Sequence, residues 1–232
     1  MTTVVLLPGM DGTGELFSEF VSALGGACSV VVGSYPRDRC LSFDELVEHA
    51  ASFLPRAGRF VLLAESFSGP VGVTLAERHH DRLDALVLCA TFVVPPVPML
   101  SVVSRLASLV PPSSIPQGLL SLALLGPWRT AALGRQIKRA VSSVDTKVLA
   151  SRIEVLSSCD VSRSLERIQA PVLNLCAGND RLVRGWCADR IEMLCGHAER
   201  VVLAGTHCLL QACPSEAAAV ICGFIERAAS AL

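Results

Sequence analysis

The sequence has almost no net charge and no long apolar run. Its 20 Lys and Arg residues nearly balance its 21 Asp and Glu residues, and the formal net charge is -1. Domains that bind nucleic acids are usually strongly basic, so this balance argues against such a partner. Arg105, Arg129 and several prolines interrupt the most apolar stretches before they reach the roughly 18 residues of a membrane span. The sequence therefore predicts neither nucleic-acid binding nor a membrane-spanning helix.

Two features of secreted proteins are also missing. The first residues, MTTVVLLPG, enter a strand pattern without a basic segment, a long apolar segment or a cleavage site. The ten cysteines form no C-x-x-C pair, and several of them fall within strand or helix patterns. We therefore expect a cytoplasmic protein whose cysteines are buried free thiols rather than disulfides.

What the sequence does contain is a regular alternation of strand and helix patterns. Its 232 residues fit one large domain. Short apolar runs, linked by helical patterns, predict six strands. These strands cover residues 2–7, 29–32, 60–64, 83–91, 171–177 and 200–204. Such an alternation predicts the α/β class, with a doubly wound six-stranded parallel sheet.

The alternation is interrupted between residues 93 and 146. Seven prolines divide this stretch into short apolar helical patterns, and it contains no strand pattern. A helical insertion in a series of strands and helices is typical of a cap over a binding site. We therefore predict a core formed by residues 1–92 and 147–232, with a helical cap formed by residues 93–146.

The stretch RFVLLAESFSGP, residues 59–70, has the pattern of a strand that turns directly into a helix. Ser66 lies at the corner, with the small residues Ala64 and Ser68 two positions to either side. Such a corner lifts a serine hydroxyl above the end of the sheet and directs the next amide, that of Phe67, at the same reacting atom. The stretch lacks both glycines of the common pattern, so an ordinary loop serine fits it equally well. Other parts of the chain must decide.

A glycine-rich loop, residues 8–14, follows the first predicted strand. Its glycines have the spacing G-x-x-G-x-G instead of the dinucleotide pattern G-x-G-x-x-G, and Glu15 stands where a phosphate-binding loop has lysine. Nucleotide binding is therefore disfavoured. The same loop can place the amide of Met10 opposite that of Phe67. We predict that these two amides form an oxyanion hole and that Gly9 contacts the substrate.

Three residues of catalytic types directly follow predicted strands, whose carboxyl ends meet at one edge of a parallel sheet. Ser66 follows the third strand, Asp180 the fifth and His207 the sixth. A histidine can take the proton of the serine, and an aspartate can orient the histidine. Asp145 and Asp160 are alternative acids, but both fall in cap or helix patterns. The sequence therefore predicts a catalytic triad of Ser66, Asp180 and His207.

Together, the segments LLPGMDGTG, AESFSG, PVLNLCAGNDRLV and AGTH resemble those of the α/β-hydrolase superfamily, from the first strand to the last helix. Ser68 stands where most members have glycine, and Pro8 where many have histidine. The first segment is similar to those of bacterial carboxylesterases and plant plastid acyltransferases. The cap resembles that of the pimeloyl-acyl-carrier-protein methyl esterases. The resemblance implies an α/β-hydrolase fold and a serine esterase that uses no metal and no organic cofactor.

The sequence thus predicts hydrolysis of a carboxylic ester through an acyl-enzyme, with a small-molecule acyl ester as substrate. Leu106, Leu109 and Leu120 are expected to line an acyl pocket under the cap. A thioesterase or an acyltransferase would use the same triad. A hydrolase-fold protein that only binds a ligand is an alternative from another class.

The predicted cap, together with the four residues after it, is basic. Residues 93–150 contain six basic residues and one acidic residue, a balance of +5. A solvated helix face would explain this charge without any partner. Alternatively, Arg135, Lys138 and Arg139 form a docking surface for an anionic partner, either an acyl carrier protein or the phosphates of a coenzyme A ester.

Overall fold

The computed structural model describes residues 2–97, 104–105 and 108–230 of the chain. Its centre is one sheet of six parallel strands in the order β2-β1-β3-β4-β5-β6. The strands are β1 (Thr3–Leu7), β2 (Ser29–Val32), β3 (Phe60–Glu65), β4 (Leu83–Cys89), β5 (Val172–Ala177) and β6 (Glu199–Leu203). The predicted α/β class and the six-stranded parallel sheet are confirmed.

Helices cover both faces of the sheet. They are α1 (Ser18–Ala23), α2 (Phe43–Ala51), α3 (Gly69–Arg78), α4 (Gln117–Leu125), α5 (Ala131–Ser142), α6 (Thr146–Ser157), α7 (Ser162–Glu166), α8 (Gly185–Leu194), α9 (Leu209–Ala212) and α10 (Pro214–Ser230). Helices α2, α3, α7 and α8 pack on one face, and α1, α9 and α10 pack on the other. This layering makes the sheet doubly wound, as the sequence predicts.

The strands are apolar along their whole length because both faces of the sheet are buried. Side chains along a strand point alternately to its two faces. Leu62 accordingly lies in the apolar cluster under α2, α3 and α8, and its neighbour Leu63 lies in the cluster under α1 and α10. Both leucines are completely buried. The unbroken apolar run of β3 therefore serves two cores at once.

The order of the strands places two loops side by side. β1 pairs with β2 on one side and with β3 on the other, so the winding of the chain reverses between β1 and β3. In open α/β sheets, ligands bind in the crevice at such a reversal, beyond the carboxyl ends of the strands. The loop after β1 is the glycine-rich loop, residues 8–14, and the residue after β3 is Ser66. The topology thus brings the two predicted site segments together.

The chain between β4 and β5 forms the helices α4 to α7, and no strand occurs among its described residues. Within this insertion, the ammonium group of Lys138 on α5 donates to the carbonyl oxygens of Pro112, Ser113 and Ile115 at 2.9, 2.8 and 2.6 Å. Lys138 therefore fastens the turn before α4 to α5. A charged donor with three carbonyl acceptors is well satisfied, so the geometry gives this side chain a structural role.

The cysteines are free thiols, and six of the ten are buried. Cys40 is exposed, which corrects the expectation of burial for that residue. Among the residues that the structure describes, no helix combines the length and the apolar character needed to cross a bilayer.

Candidate active site

The three predicted catalytic side chains lie in contact at the carboxyl edge of the sheet. Ser66 Oγ lies 2.8 Å from His207 Nε2, and His207 Nδ1 lies 2.8 Å from Asp180 Oδ2. Since a carboxylate only accepts, Nδ1 of His207 carries the proton that it donates to Asp180. Nε2 then has a free lone pair that accepts from the Ser66 hydroxyl. The arrangement can therefore remove the hydroxyl proton of Ser66 as this residue attacks an electrophile.

Ser66 has a strained backbone. Its φ is 49°, and Ala90 is the one other non-glycine residue in the described part of the chain with a positive φ. L-residues rarely adopt this left-handed conformation, which costs free energy and is commonly found at functional sites. The corner also needs Gly69, because a Cβ at that position would lie 1.9 Å from Thr91 Oγ1. The sharp turn predicted from the small residues around Ser66 is present.

Ser68, which stands in place of the usual glycine, is buried and hydrogen-bonded rather than crowded. Its hydroxyl donates to the carbonyl oxygen of Pro8, and its Oγ lies 2.9 Å from the hydroxyl of Tyr35. Burial raises the pKa of Tyr35 to about 12, so its phenol remains protonated and donates to Ser68. The hydroxyl of Ser68, which a glycine would lack, therefore connects the corner after β3 to the glycine-rich loop.

Asp180 is held by the turn that carries it. Its Oδ1 accepts hydrogen bonds from the amides of Leu182 and Val183, both at 2.8 Å, and this leaves Oδ2 for His207. The alternative acids lie elsewhere: Asp145 precedes α6, Asp160 precedes α7, and both are exposed. Of the three candidate acids, Asp180 is the one that the structure places against His207.

The glycine-rich loop approaches the nucleophile closely. Gly9, Met10 and Phe67 line the same cavity as Ser66. A Cβ added at Gly9 would lie 3.8 Å from Ser66 Cβ. The loop backbone therefore runs beside the Ser66 side chain.

Arg152, on α6, was not predicted as a site residue. Its side chain is 3% exposed, and its guanidinium donates to the carbonyl oxygens of Met10 at 2.7 Å and of Pro36 at 3.0 Å. The guanidinium also lies 5.7 Å from the ring centroid of Tyr35 and 5.9 Å from that of Phe67. Burial lowers the pKa of Arg152 from its ordinary value. Arg152 thus links the helical insertion to both predicted oxyanion-hole segments.

A sequence signal for Arg152 does exist. Val148, Arg152 and Leu156 are spaced four residues apart and share one face of α6, and all three are buried. A charged residue on an otherwise apolar helix face is informative, because such a residue needs buried partners. The partners themselves are carbonyl groups more than a hundred positions away in the chain.

We expect Arg152→Met to destabilise the fold and to weaken catalysis. Methionine has similar length but no donors, so the carbonyl groups of Met10 and Pro36 would be left without this partner. Loss of hydrogen bonds from a charged donor should lower the free energy of unfolding by about 2 kcal/mol or more. Urea unfolding measures this change, and Arg163→Met, at an exposed position of α7, is the control. Equal unfolding midpoints for the two variants would contradict the role assigned to Arg152.

The cavity above Ser66 has a volume of about 550 Å³ and a largely apolar wall. Six residues of α4, α5 and α6 form much of that wall: Leu120, Leu124, Ile137, Val141, Leu149 and Ile153. A more open depression of about 770 Å³ lies between α2 and α6, but it contains none of the three catalytic candidates. The apolar cavity above Ser66, which is the more enclosed of the two, is therefore the better site for a small molecule.

The three predicted pocket leucines have different positions. Leu120 lines the cavity. Leu109 is instead 76% exposed and is not among the cavity residues, because a turn at residues 108–109 ends the helical spacing on which its prediction was based. Leu106 lies outside the described residues. Of the predicted docking residues, Arg135 and Arg139 are exposed on α5, and Lys138 contacts the carbonyl groups named above.

Comparison with known proteins agrees with this architecture. A model of the alpha/beta hydrolase family matches residues 4–220. No curated protein matches the chain by sequence.

Several solved structures have the same fold. A hydrolase from Oleispira antarctica has a TM-score of 0.85 at 14% identity, covering 97% of this chain and 91% of that one. A thermophilic esterase from Thermogutta terrifontis has a TM-score of 0.85 at 17% identity, covering 98% and 90%. An enol-lactonase from Burkholderia xenovorans LB400 has a TM-score of 0.83 at 17% identity, covering 97% and 91%. At these identities, the likeness shows a shared fold.

Proposed function

The chain belongs to the alpha/beta hydrolase family, and on this premise we propose that it is a serine esterase that cleaves a carboxylic ester through an acyl-enzyme. The observation that carries the proposal is the hydrogen-bonded chain from Ser66 through His207 to Asp180. It supplies a nucleophile, a base and a group that orients the base, which are the parts that acyl transfer needs. An esterase and an enol-lactonase are among the proteins of similar fold.

In the proposed reaction, Ser66 Oγ attacks the ester carbonyl while His207 Nε2 takes the hydroxyl proton. The amides of Met10 and Phe67 stabilise the negative charge on the carbonyl oxygen. His207 then gives its proton to the departing alcohol, which leaves the acyl group on Ser66. Water, deprotonated by His207, releases the acid and restores the hydroxyl. Asp180 keeps the proton of His207 on Nδ1 throughout both halves of the reaction.

The substrate class that we propose is a small-molecule acyl ester. Apolar side chains such as Leu120, Ile137 and Leu149 line the cavity and would contact an acyl chain. Leu120 and Ile137 belong to residues 93–146, which would act as the cap of the site, and Leu149 lies just beyond them on α6. A thioester would give the same acyl-enzyme, and transfer to another alcohol would replace the final water. The leaving group and the acceptor therefore need a direct test.

Labelling with a fluorophosphonate probe tests the proposal. The wild-type protein should be labelled at Ser66, as peptide mass spectrometry would show, and Ser66→Ala should not be labelled. A panel of acyl esters and thioesters, with and without an added alcohol, then separates esterase, thioesterase and acyltransferase activity. A folded wild-type protein that resists the probe would favour a module that only binds a ligand.

Arg135 and Arg139 support a more specific substrate, an ester carried by an acyl carrier protein or by coenzyme A. Both arginines are exposed on α5, a helix that also contributes to the cavity wall. Lys138 is removed from the predicted surface, since its ammonium group contacts three carbonyl groups of the same insertion. The proposed docking surface therefore consists of two arginines and not of three basic residues.

The double variant Arg135→Ala/Arg139→Ala should raise the KM for a carrier-linked ester by roughly fivefold at low salt, because long-range attraction of an anionic partner is lost. The effect should fade as salt is added, and a neutral nitrophenyl ester should be hydrolysed as before. Arg56→Ala/Arg163→Ala, at two other exposed positions, is the matched control. Equal effects on both substrates, or none on either, would contradict the docking proposal and would mean that the basic face of α5 is a solvated surface without a partner.

A further inference from the structure

Two carboxyl groups converge on a small space beside the nucleophile. Glu65 immediately precedes Ser66 and is 6% exposed, and Asp11 in the glycine-rich loop is 7% exposed. Both residues line the cavity. A carbon atom built on Gly9 as a Cβ would lie 3.8 Å from Glu65 Oε2, 3.9 Å from Asp11 Oδ1 and 3.8 Å from Ser66 Cβ. Both carboxyl groups and the side chain of Ser66 therefore lie around the same side of Gly9.

A buried amide completes this cluster. Gln211, on α9, is 8% exposed and also lines the cavity. Its Nε2 donates to Glu65 Oε2 at 3.4 Å, and its Oε1 is buried without a partner among the described residues. Buried polar atoms in native proteins nearly always have a partner. An acceptor left over in a cavity wall can accept a hydrogen bond from a donor on a ligand.

The cluster has unused acceptors, and its one basic neighbour among the described residues is Arg152 on α6, whose charge interacts with that of Asp11. The Oδ2 atom of Asp11 accepts from the amide and the hydroxyl of Thr13, which leaves Oδ1 available. Within the described part of the chain, no arginine or lysine forms an ion pair with Glu65 or Asp11. Arg181 and Arg184 line the cavity but are exposed, so they lie at its rim. The interior beside Ser66 therefore combines three acceptors with two carboxyl groups, and of these Asp11 has the buried Arg152 as a neighbouring positive charge whereas Glu65 has no described arginine or lysine beside it.

The environment of Glu65 favours a cation. Its neighbours are Asp11 after β1, Cys89 at the end of β4, and His207 and Cys208 after β6. Burial is the largest cause that raises the pKa of Glu65 to about 7, and the charge of Asp11 adds to it. A positive charge placed in this cluster would stabilise the ionised carboxylate of Glu65 and would be held more tightly above pH 7 than below it.

We propose that Glu65, Asp11 and Gln211 form a subsite for a primary ammonium group on the substrate, which makes amino-substituted esters preferred over neutral ones. This inference rests on the proposed ester hydrolysis at Ser66. An ammonium group has three N–H donors, which match the three acceptors, and its charge offsets that of the carboxylates. A hydroxyl group has one donor and no charge. Because the cluster adjoins Ser66, the ammonium group lies a few bonds from the scissile carbonyl.

Matched pairs of esters test the subsite. On the acyl side, phenyl 3-aminopropanoate is compared with phenyl butanoate, in which a methyl group replaces the ammonium group. On the alcohol side, 2-aminoethyl butanoate is compared with propyl butanoate. One of the two pairs should show a kcat/KM ratio of about tenfold or more in favour of the ammonium ester at pH 8. The pair that does so tells which part of the substrate occupies the subsite.

Two variants and one pH series test whether Glu65 and Gln211 cause the preference for the ammonium ester over the neutral ester. Glu65→Gln removes one of the two carboxylate charges at constant shape, and it should lower the ratio at least several-fold. Gln211→Met should lower the ratio several-fold. In the wild-type protein, the ratio should rise from pH 6 to pH 8 as Glu65 ionises, while the titration of the catalytic base cancels because both esters share it.

The outcomes separate the subsite from the proposed function. Wild-type ratios near one for both pairs, with the neutral esters hydrolysed, would overturn the subsite and leave ester hydrolysis standing. A full preference retained by folded Glu65→Gln would overturn it as well. If that variant does not fold, the Gln211→Met ratio and the wild-type pH series decide in its place. Failure to hydrolyse any of the four esters would count against the proposed function and against the subsite together.

Discussion

Ser66→Ala is expected to lower ester turnover by roughly 10⁴-fold or more while the protein stays folded. The variant removes the oxygen that would form the proposed acyl-enzyme, and no other hydroxyl lies against His207 Nε2 in the described part of the site. Alanine should fit at this position without unfolding the protein. The hydrogen bond that is lost joins Ser66 Oγ to His207 Nε2, and both residues line the cavity instead of packing in the apolar core. The measurement is kcat/KM for a short nitrophenyl ester, with circular dichroism to verify folding.

Ser66→Gly is a useful companion to that variant. Alanine keeps the strain that a φ of 49° places on a residue with a side chain, whereas glycine relieves it. Both variants should be inactive, and the glycine variant should have a free energy of unfolding about 1 kcal/mol higher than the alanine variant. Substantial ester turnover by either variant would mean that the chemistry takes place elsewhere.

Asp180→Asn is expected to lower kcat by roughly 10³-fold to 10⁴-fold without unfolding the protein. The turn itself determines which end of the asparagine faces the base. The amides of Leu182 and Val183 need an acceptor, so the asparagine oxygen takes the place of Oδ1 and its NH₂ group faces His207. That NH₂ group donates to Nδ1, which moves the histidine proton to Nε2. Nε2 then cannot accept the proton of Ser66.

Asp160→Asn and Asp145→Asn are the matched controls for this variant. Each makes the same chemical change at an exposed residue that precedes a helix, and each should keep kcat near the wild-type value. The pH dependence of kcat adds a second readout, because a change of histidine tautomer affects the base directly. An inactive Asp160→Asn beside an active Asp180→Asn would refute the assignment of the acid.

The sheet could be predicted because its signals are local. A strand buried on both faces needs a continuous apolar run, and the runs around β3 and β5 are bounded by polar or small residues. The corner at Ser66 could be predicted for the same reason. A sharp turn from strand to helix needs small residues two positions to either side, and Ala64 and Ser68 meet this requirement. The sequence patterns do not determine the order of the strands; the structure shows that order, and it places the loops after β1 and β3 side by side.

The parts that could not be predicted depend on contacts between distant segments. Gln211 meets Glu65 across 146 positions, and no spacing pattern connects them. Lys138 looks like any other basic residue of an amphipathic helix until its three carbonyl partners are known. Leu109 fits a helical pattern, but it lies in a turn and its side chain is exposed to solvent. In each case the partner, not the residue type, decides the role.

The hydrogen bonds of Arg152 set a rule for building chimeras of this protein. The arginine lies on α6, six residues beyond the last residue of the predicted cap, yet it anchors the loop that carries Met10. A foreign cap joined at residues 92 and 147 would keep that anchor, and acyl-chain preference could be exchanged without disturbing the loop beside the nucleophile. A junction placed after α6 would replace this helix and remove Arg152. The loop that carries Met10 would then lose its hydrogen bond to α6, and we expect it to shift relative to Ser66.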